Sequence, residues 1–347
     1  LMLQEYNLKK SKDPIMDSEF DTSMRKFNLN HSNFSIAVSG GPDSMALSIL
    51  LSRYSKLNSI DLHALIVDHK IRDESSEEAT LVSEKLNQLN IHNHILVWHE
   101  GIKYKSLSKS YQNEAREARL MLMSKWCKVN NIENLFMGHH ADDQLETFIY
   151  RLIRGSGING LSGISDDTRI NNLRIIRPLL GFPKSRLLAT CKYYNVSYVD
   201  DRSNQNKKFS RVRIRKLLHE LEEEGLTKSR IYKTISHLNR AKLAIDIIVS
   251  DAINQFLFYN DNKTIAKIAL SKFLNYPDEI GIRALSKMLS KISGKSYPPR
   301  FINLEKVYLM LKKADISDND NLWYDKTLHG CKLIVQGEYL VISKENL

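Results

Sequence analysis

Apolar positions in the first two thirds of the chain switch repeatedly between two periods. Phe34, Ile36, Ala37 and Val38 form a short dense run, as in a strand buried on both faces. Met45, Leu47, Ile49, Leu50 and Leu51 then recur along a helix, with Pro42 near its first turn. The succession repeats: a strand-like run at 60–70 (IDLHALIVDHK), then a helix at 75–90 with a Ser-rich start and an acidic first turn. A third strand is predicted at 94–98, a helix at 113–130 with Ala115, Ala118, Leu122 and Trp126 among its buried positions, and a fourth strand at 133–140. A helix at 141–155 follows, and a fifth strand at 174–180 with Pro178 confined to its end. Residues 1–33 are polar, save an amphipathic stretch around Phe20, Met24 and Phe27 placed to cap a sheet edge.

Alternating strands and helices predict βαβ units, hence an α/β, Rossmann-like parallel sheet covered on both faces. In such sheets ligands bind beyond the carboxyl ends of the strands. Three polar clusters fall there: SGGPDS at 39–44, VDHK at 67–70 and GHHADD at 138–143. From about Lys216 the pattern changes to helices without intervening strands, closing in a hairpin at 330–345 that turns at Gln336-Gly337. The expected organisation is a catalytic domain over 1–215, with a basic connector at its end, and a smaller, mainly helical domain over 216–347 that ends in the hairpin.

Composition narrows the picture. No apolar run approaches the roughly 18–20 residues that span a bilayer, and the N-terminus lacks the order of a secretory signal. The three cysteines (Cys127, Cys191, Cys331) form no CxxC, so free thiols in a reducing cytoplasm are expected rather than a disulfide framework or zinc ribbon. The formal net charge is +11 over 347 residues. Residues 168–240 hold 17 Lys and Arg against 6 Asp and Glu, an excess equal to that of the whole chain. So concentrated a charge points to a polyanion, a nucleic acid above all.

SGGPDS carries the first chemistry. Gly40 and Gly41 let backbone N–H groups approach an anion without Cβ obstruction, the following helix adds oriented amides, and Ser39 and Ser44 offer hydroxyls. GxxxxGK[ST] is absent, which excludes a Walker loop, and no GxGxxG follows the strand. Asp43 would repel phosphate unless a divalent cation lay between them, so Mg²⁺ is implied. Asp142, Asp143 and Glu146 begin one helix, and Asp143 and Glu146 share a face. They are either dipole-favoured helix carboxylates or a site for a cationic substrate. His139 and His140 stand beside them without HExxH or a cysteine partner, so phosphate or ribose contact is favoured over zinc. Arg116 and Arg119, three apart, read as helix-surface charges paired with Glu114 or Glu117. Asp68, His69 and Arg72 read as loop polarity or nucleotide contacts.

SGGPDS after a first strand resembles the PP-loop of N-type ATP pyrophosphatases. VDHKIRDES (67–75), NEAREARL (113–120), GHHADDQLET (138–147), RGSGINGLSGI (154–164), RPLL (177–180) and DDRSNQNKKFSRVRIR (200–215) follow in order. Together they are similar to the tRNA(Ile)-lysidine synthase family across 34–215. The resemblance implies ATP-dependent adenylation of C2 oxygen at the wobble cytidine of a CAU-anticodon tRNA(Ile), then displacement of AMP by the side-chain amine of free L-lysine. It implies ATP held by Ser39, Gly40, Gly41, Pro42, Asp43, Ser44, Asp68, His69 and His139, with Mg²⁺ on Asp43. Lysine would lie on Asp143 and Glu146, while Arg116 faces the AMP phosphate or the lysine carboxylate. The RNA would be tracked by Arg202, Lys207, Lys208, Arg211, Arg213 and Arg215, with Phe209 as a stacking candidate.

The glycine-rich run at 154–164 reads as too flexible for a helix: a mobile connector, or a loop admitting the unstacked cytidine. The chain departs from the family pattern at His69-Lys70-Ile71-Arg72, where His-Gly-Leu-Arg is common, and at Leu120, where an aromatic is common. It ends soon after the hairpin and begins with Leu1, as a short form or a fragment would. A PP-loop tRNA sulfur-transfer enzyme is disfavoured by the missing CxxC, an amide-forming synthetase by the basic connector. A catalytically silent tRNA-binding protein is disfavoured by intact Asp43, Asp143 and Glu146. Oligomeric state is left open, a homodimer among the arrangements.

Overall fold

The computed structural model describes residues 12–29, 33–104, 111–170, 172–199, 210–259, 265–295, 297–313 and 325–345. The chain divides into two compact units, Leu1–Asn239 and Arg240–Leu347.

The first unit opens with α1 (Asp17–Arg25), followed by β1 (Phe34–Val38), α2 (Pro42–Leu57), β2 (Leu62–Asp68), α3 (Ser75–Gln88) and β3 (His92–Val97). After a 3₁₀ turn come α4 (Tyr111–Val129), β4 (Asn134–Phe136), α5 (Ala141–Ile153) and a one-turn α6 (Ile158–Leu161). β5 (Asp167–Ile170), β6 (Leu173–Ile176), α7 (Lys184–Tyr193) and α8 (Ser210–Glu223) precede α9 (Lys228–Phe256), which continues into the second unit. The six strands pair in the order β3-β2-β1-β4-β6-β5. All neighbours are parallel except β5, which turns back antiparallel on β6. The expected parallel sheet is therefore present. The chain moves outward from β1 to β3 and then returns to β1's other side with β4. The switch point of the sheet lies between β1 and β4, the place where open α/β sheets bind ligands.

The core follows from the sequence pattern. Phe34, Ile36 and Val38 of β1 and Met45, Ala46, Leu47, Leu50 and Leu51 of α2 are buried together. Phe20, Met24 and Phe27 join them, so the amphipathic N-terminal stretch closes this core. Arg186 in α7 is the charged exception at 1% exposure. Its guanidinium donates to both oxygens of Glu19 at 2.6 Å and to the carbonyls of Asp13 (3.0 Å) and Pro14 (2.9 Å). Removing one partner of so buried a pair leaves the other uncompensated, at a cost of several kcal/mol. Arg186→Met is expected to lower unfolding free energy in urea by about 3 kcal/mol, at the low end because Glu19 keeps some water contact. A loss below about 1 kcal/mol would mean that the methionine packs as well as the ion pair held.

Two details depart from the sequence expectation. β5 was not foreseen, because Asp167, Thr168 and Arg169 carry no apolar alternation; they form an edge strand, and β6 supplies the buried face through Leu173, Ile175 and Ile176. Residues 158–161 form a helical turn despite flanking glycines. Arg151 caps it by donating to the carbonyls of Gly160 (2.7 Å) and Gly163 (3.0 Å), and Gln144 pairs with both the N–H and C=O of Ile164.

The second unit adds β7 (Leu257–Tyr259), β8 (Ile265–Ala269), α10 (Leu270–Leu274), α11 (Asp278–Ser293), α12 (Phe301–Lys313), β9 (Asp325–Leu328), β10 (Cys331–Gln336) and β11 (Tyr339–Lys344). β10 and β11 form the foreseen hairpin, with Gln336 opposite Tyr339, but β7, β8 and β9 intervene among the helices where none were expected. That hairpin belongs to a five-stranded antiparallel sheet, β7-β8-β11-β10-β9. β8 escaped sequence reading because only Ala266 and Ile268 of its five residues face the core.

Candidate active site

The glycine loop joins β1 to α2. Gly40 adopts φ +83°, a left-handed conformation that L side chains rarely take. A Cβ there would also collide with Val82 of α3. Gly41 is extended (φ −72°, ψ 164°), and Pro42 starts the helix, so the chain turns sharply onto α2. Ser44 Oγ donates to the Gly41 carbonyl at 3.0 Å and accepts from Ser39 N–H at 3.3 Å, fixing the loop around one hydroxyl. Ser39 Oγ lies 3.3 Å from it. Outside the loop, Val199 N–H donates to the Gly40 carbonyl at 2.8 Å.

Beside this loop, across the switch point, the end of β4 delivers His140 and the first turn of α5. Gly138 permits the approach: a Cβ there would stand 2.9 Å from the Asp43 carbonyl oxygen and 3.2 Å from Ser44 Cα. His140 is 3% exposed. Its Nε2 lies 3.5 Å from Asp43 Oδ2 and 3.6 Å from Asp143 Oδ2, and its Nδ1 lies 3.8 Å from Asp142 Oδ2. Burial disfavours a charged ring, but three carboxylates outweigh it and raise the imidazole pKa. Asp43 answers in kind: burial opposes its charge, while His140 and Lys184 together hold its carboxyl below the ordinary range. Asp143 Oδ2 accepts the His140 N–H at 3.0 Å, and Glu146, one turn further, is buried. Asp142 accepts the Lys184 backbone N–H at 2.8 Å and the Lys228 ammonium at 3.1 Å.

Asp43 Oδ1 is buried and, among the described residues, has no hydrogen-bond partner. An anionic oxygen left so is suited to a cation, and Mg²⁺ binds through one or two carboxylates together with substrate phosphates. The residues present fit such an ion. The fit is to an ion that shares its ligands with substrate phosphates, because among the described residues no group of three or more His, Cys, Asp or Glu could hold a metal by itself.

The other predicted residues fall at neighbouring strand ends. Asp68, at the end of β2, is buried and fully occupied. It accepts from the Ser75 (2.6 Å) and Ser76 (2.9 Å) hydroxyls and the Lys70 N–H (3.1 Å), with the Lys70 ammonium at 3.1 Å. Burial opposes its charge, yet these donors bring its pKa down to about 2. Asp68 thus shapes the loop that carries half-buried His69, whose Nδ1 accepts from Ile71 N–H at 3.3 Å. His139 is half-buried at the end of β4. Arg116 lies exposed in the second turn of α4. Its charge reinforces desolvation in lowering the pKa values of Arg119, Arg151 and Arg177, so a positive field gathers on this side of the cleft. Buried Arg177, lowered to about 10, donates to the Ser165 carbonyl (2.8 Å) and the Thr168 hydroxyl (3.2 Å). Arg151 therefore holds the glycine-rich loop, and Arg177 holds the residues that follow it.

Of the basic connector, Arg202, Lys207, Lys208 and Phe209 lie outside the described residues. Arg211, Arg213 and Arg215 fall within α8, Arg213 being exposed. Sequence reasoning missed the central place of His140 and passed over Lys184 and Lys228. Lys184 was findable, since it begins the helix after β6 and so stands at another carboxyl strand end.

The PP-loop domain family matches residues 14–222. The chain is 35% identical over 333 residues to the tRNA(Ile)-lysidine synthase of Wolbachia sp. subsp. Brugia malayi (strain TRS), covering 95% of this chain and 75% of that protein. It is 35% identical over 313 residues to the tRNA(Ile)-lysidine synthase of Wolbachia pipientis wMel, covering 90% and 70%. In fold it is similar to the U34-tRNA thiolase NcsA of Methanococcus maripaludis, solved with its [4Fe-4S] cluster. The TM-score is 0.53 at 17% identity, over 64% of this chain and 78% of that one.

Proposed function

The chain belongs to the tRNA(Ile)-lysidine synthase family of PP-loop enzymes, and from that premise we propose how its residues carry the reaction. The activity is ATP-dependent ligation of lysine to the wobble cytidine of tRNA(Ile). In our reading ATP lies against the loop of residues 39–44 at the start of α2. Asp43 would hold Mg²⁺, which would supply charge neutralisation at the phosphates. The cytidine C2 oxygen attacks the α-phosphorus and pyrophosphate leaves; positioning and charge stabilisation suffice, with no protein nucleophile. Free lysine then displaces AMP at C2.

Asp143 and Glu146 take the ammonium groups of lysine, and one of them accepts the proton that the attacking nitrogen must lose. Arg116 faces the AMP phosphate or the lysine carboxylate. His139 and His69 flank the nucleotide, and Asp68 serves it by fixing the loop before α3. The CAU-anticodon RNA is drawn in by the connector, from Arg202 through Lys207, Lys208, Arg211 and Arg213 to Arg215, and by the part of the chain after 215. The setting is the cytoplasm, where tRNA is held; among the described residues no helix is long and apolar enough to cross a membrane.

One observation carries this reading. A single buried imidazole stands 3.5 Å from Asp43 and 3.6 Å from Asp143, which supports reading the glycine loop and the carboxylates of α5 as one site. Sulfur transfer finds no support: all three cysteines are buried and unbridged, and burial pushes the thiols of Cys191 and Cys331 up to about 12 and about 11.

The test incubates the protein with labelled lysine, ATP, Mg²⁺ and a CAU-anticodon tRNA(Ile) transcript. Label surviving mild alkali is expected on this RNA and absent from a transcript with uridine at the wobble position. AMP release without stable label would remove lysine as the nucleophile.

A further inference from the structure

Cleaving a triphosphate builds negative charge on the leaving pyrophosphate, and a Walker loop meets it with its own lysine. The loop here has none: Ser39 to Ser44 contains no basic residue. We propose that Lys184, 141 positions away in sequence, is the missing cation, a catalytic residue whose ammonium binds the pyrophosphate end of ATP. The proposal rests on the reading of the loop as the ATP site.

Three observations converge. The first is placement. β6 pairs in parallel with β4, and after it Pro183 caps α7, so Lys184 starts that helix at a carboxyl strand end. Its backbone N–H is fastened to Asp142 Oδ2 at 2.8 Å, which fixes the base of the side chain. The second is reach. Lys184 Nζ stands 3.4 Å from Asp43 Oδ2, and the side chain keeps 36% of its surface exposed. A charge-assisted bond of this kind is normally about 2.7–2.9 Å, so the ammonium is held loosely and is free to exchange partners. The third is that two nearby cations are occupied. Lys228 is bound to Asp142 at 3.1 Å, and Arg151 donates to the carbonyls of Gly160 and Gly163.

The step balances without a proton transfer to Lys184. A bond forms from the cytidine C2 oxygen to the α-phosphorus. The bond from that phosphorus to the bridging oxygen breaks, and its electron pair departs on pyrophosphate. The ammonium donates hydrogen bonds to the oxygens that gain this charge. In leaving Asp43 it also releases the carboxylate that is suited to Mg²⁺, so one exchange prepares both partners.

Equilibrium binding of ATP and of AMP, each with Mg²⁺, separates this role from a structural one. Lys184→Met is expected to weaken ATP binding about 10- to 100-fold while leaving AMP binding unchanged, because AMP lacks the phosphates the ammonium would touch. Lys184→Arg is expected to retain most of the ATP affinity, and stands in for the methionine variant should that variant fold poorly. Lys192→Met, at the other end of α7, is expected to match the unaltered protein. Equal ATP affinities for the unaltered and Lys184→Met proteins would overturn the proposal, as would parallel loss of ATP and AMP. Failure of the unaltered protein to bind either nucleotide would instead overturn the reading of the loop, and the role of Lys184 with it.

Discussion

Replacing Asp43 by alanine is expected to reduce turnover by about a thousandfold while changing tRNA affinity less than about twofold. Asp43 is placed to do electrostatic work and no RNA binding. It sits in the first turn of α2, its Oδ1 is buried without a partner among the described residues, and its Oδ2 faces His140 and Lys184. His140 and Lys184 keep its carboxyl charged against the desolvation that burial imposes, so its charge is ready before any cation arrives. Release of pyrophosphate from ATP in the presence of the RNA measures the first quantity, and filter binding of labelled tRNA the second. A proportional fall in tRNA affinity would mean that Asp43 props up the fold, and that its charge is not the point.

Glu146→Gln is expected to separate the two chemical steps. Glutamine preserves the volume of a buried side chain and removes its charge. The KM for lysine should rise by about a hundredfold, the worth of a charged hydrogen bond in a dry site, while RNA-dependent pyrophosphate release stays within about twofold. Asp143→Asn should act in the same direction. It will also disturb the start of α5, because Asp143 Oδ2 accepts the His140 N–H at 3.0 Å. If both steps fell together in Glu146→Gln, the carboxylate would be a structural support, and lysine would have to be sought elsewhere in the cleft.

The parts of this arrangement that were legible in the sequence are those that local chemistry dictates. A dense apolar run, two glycines and a proline specify a strand, a turn and a helix. Repetition of that succession specifies a parallel sheet, and a parallel sheet specifies where its polar strand ends lie. That route leads to Asp43 in the first turn of α2, Asp143 in the first turn of α5 and Glu146 one turn further. The hidden parts depend on partners distant in the chain. Nothing near His140 says that Asp43 will approach it, since the contact requires Gly138 to lie against the backbone of α2. Asp68 reads in the sequence as loop polarity or as a nucleotide contact, and nothing nearby shows that four donors from Lys70, Ser75 and Ser76 converge on it. The second unit was harder still, because β8 and β9 owe their strand conformation to neighbours and show little alternation of their own.

The loop at residues 39–44 is short enough to look transplantable, yet its shape is held from outside. α3 contributes Val82, which leaves Gly40 no room for a side chain; the end of β4 contributes Gly138; and Val199 anchors the Gly40 carbonyl. Grafting the six residues onto another strand–helix junction would move the letters and leave behind the mould that shapes them. The same dependence makes the loop a sensitive gauge. A cavity opened at Val82, or a methyl group added at Gly138, would be read out in nucleotide affinity before it was visible as a loss of folding.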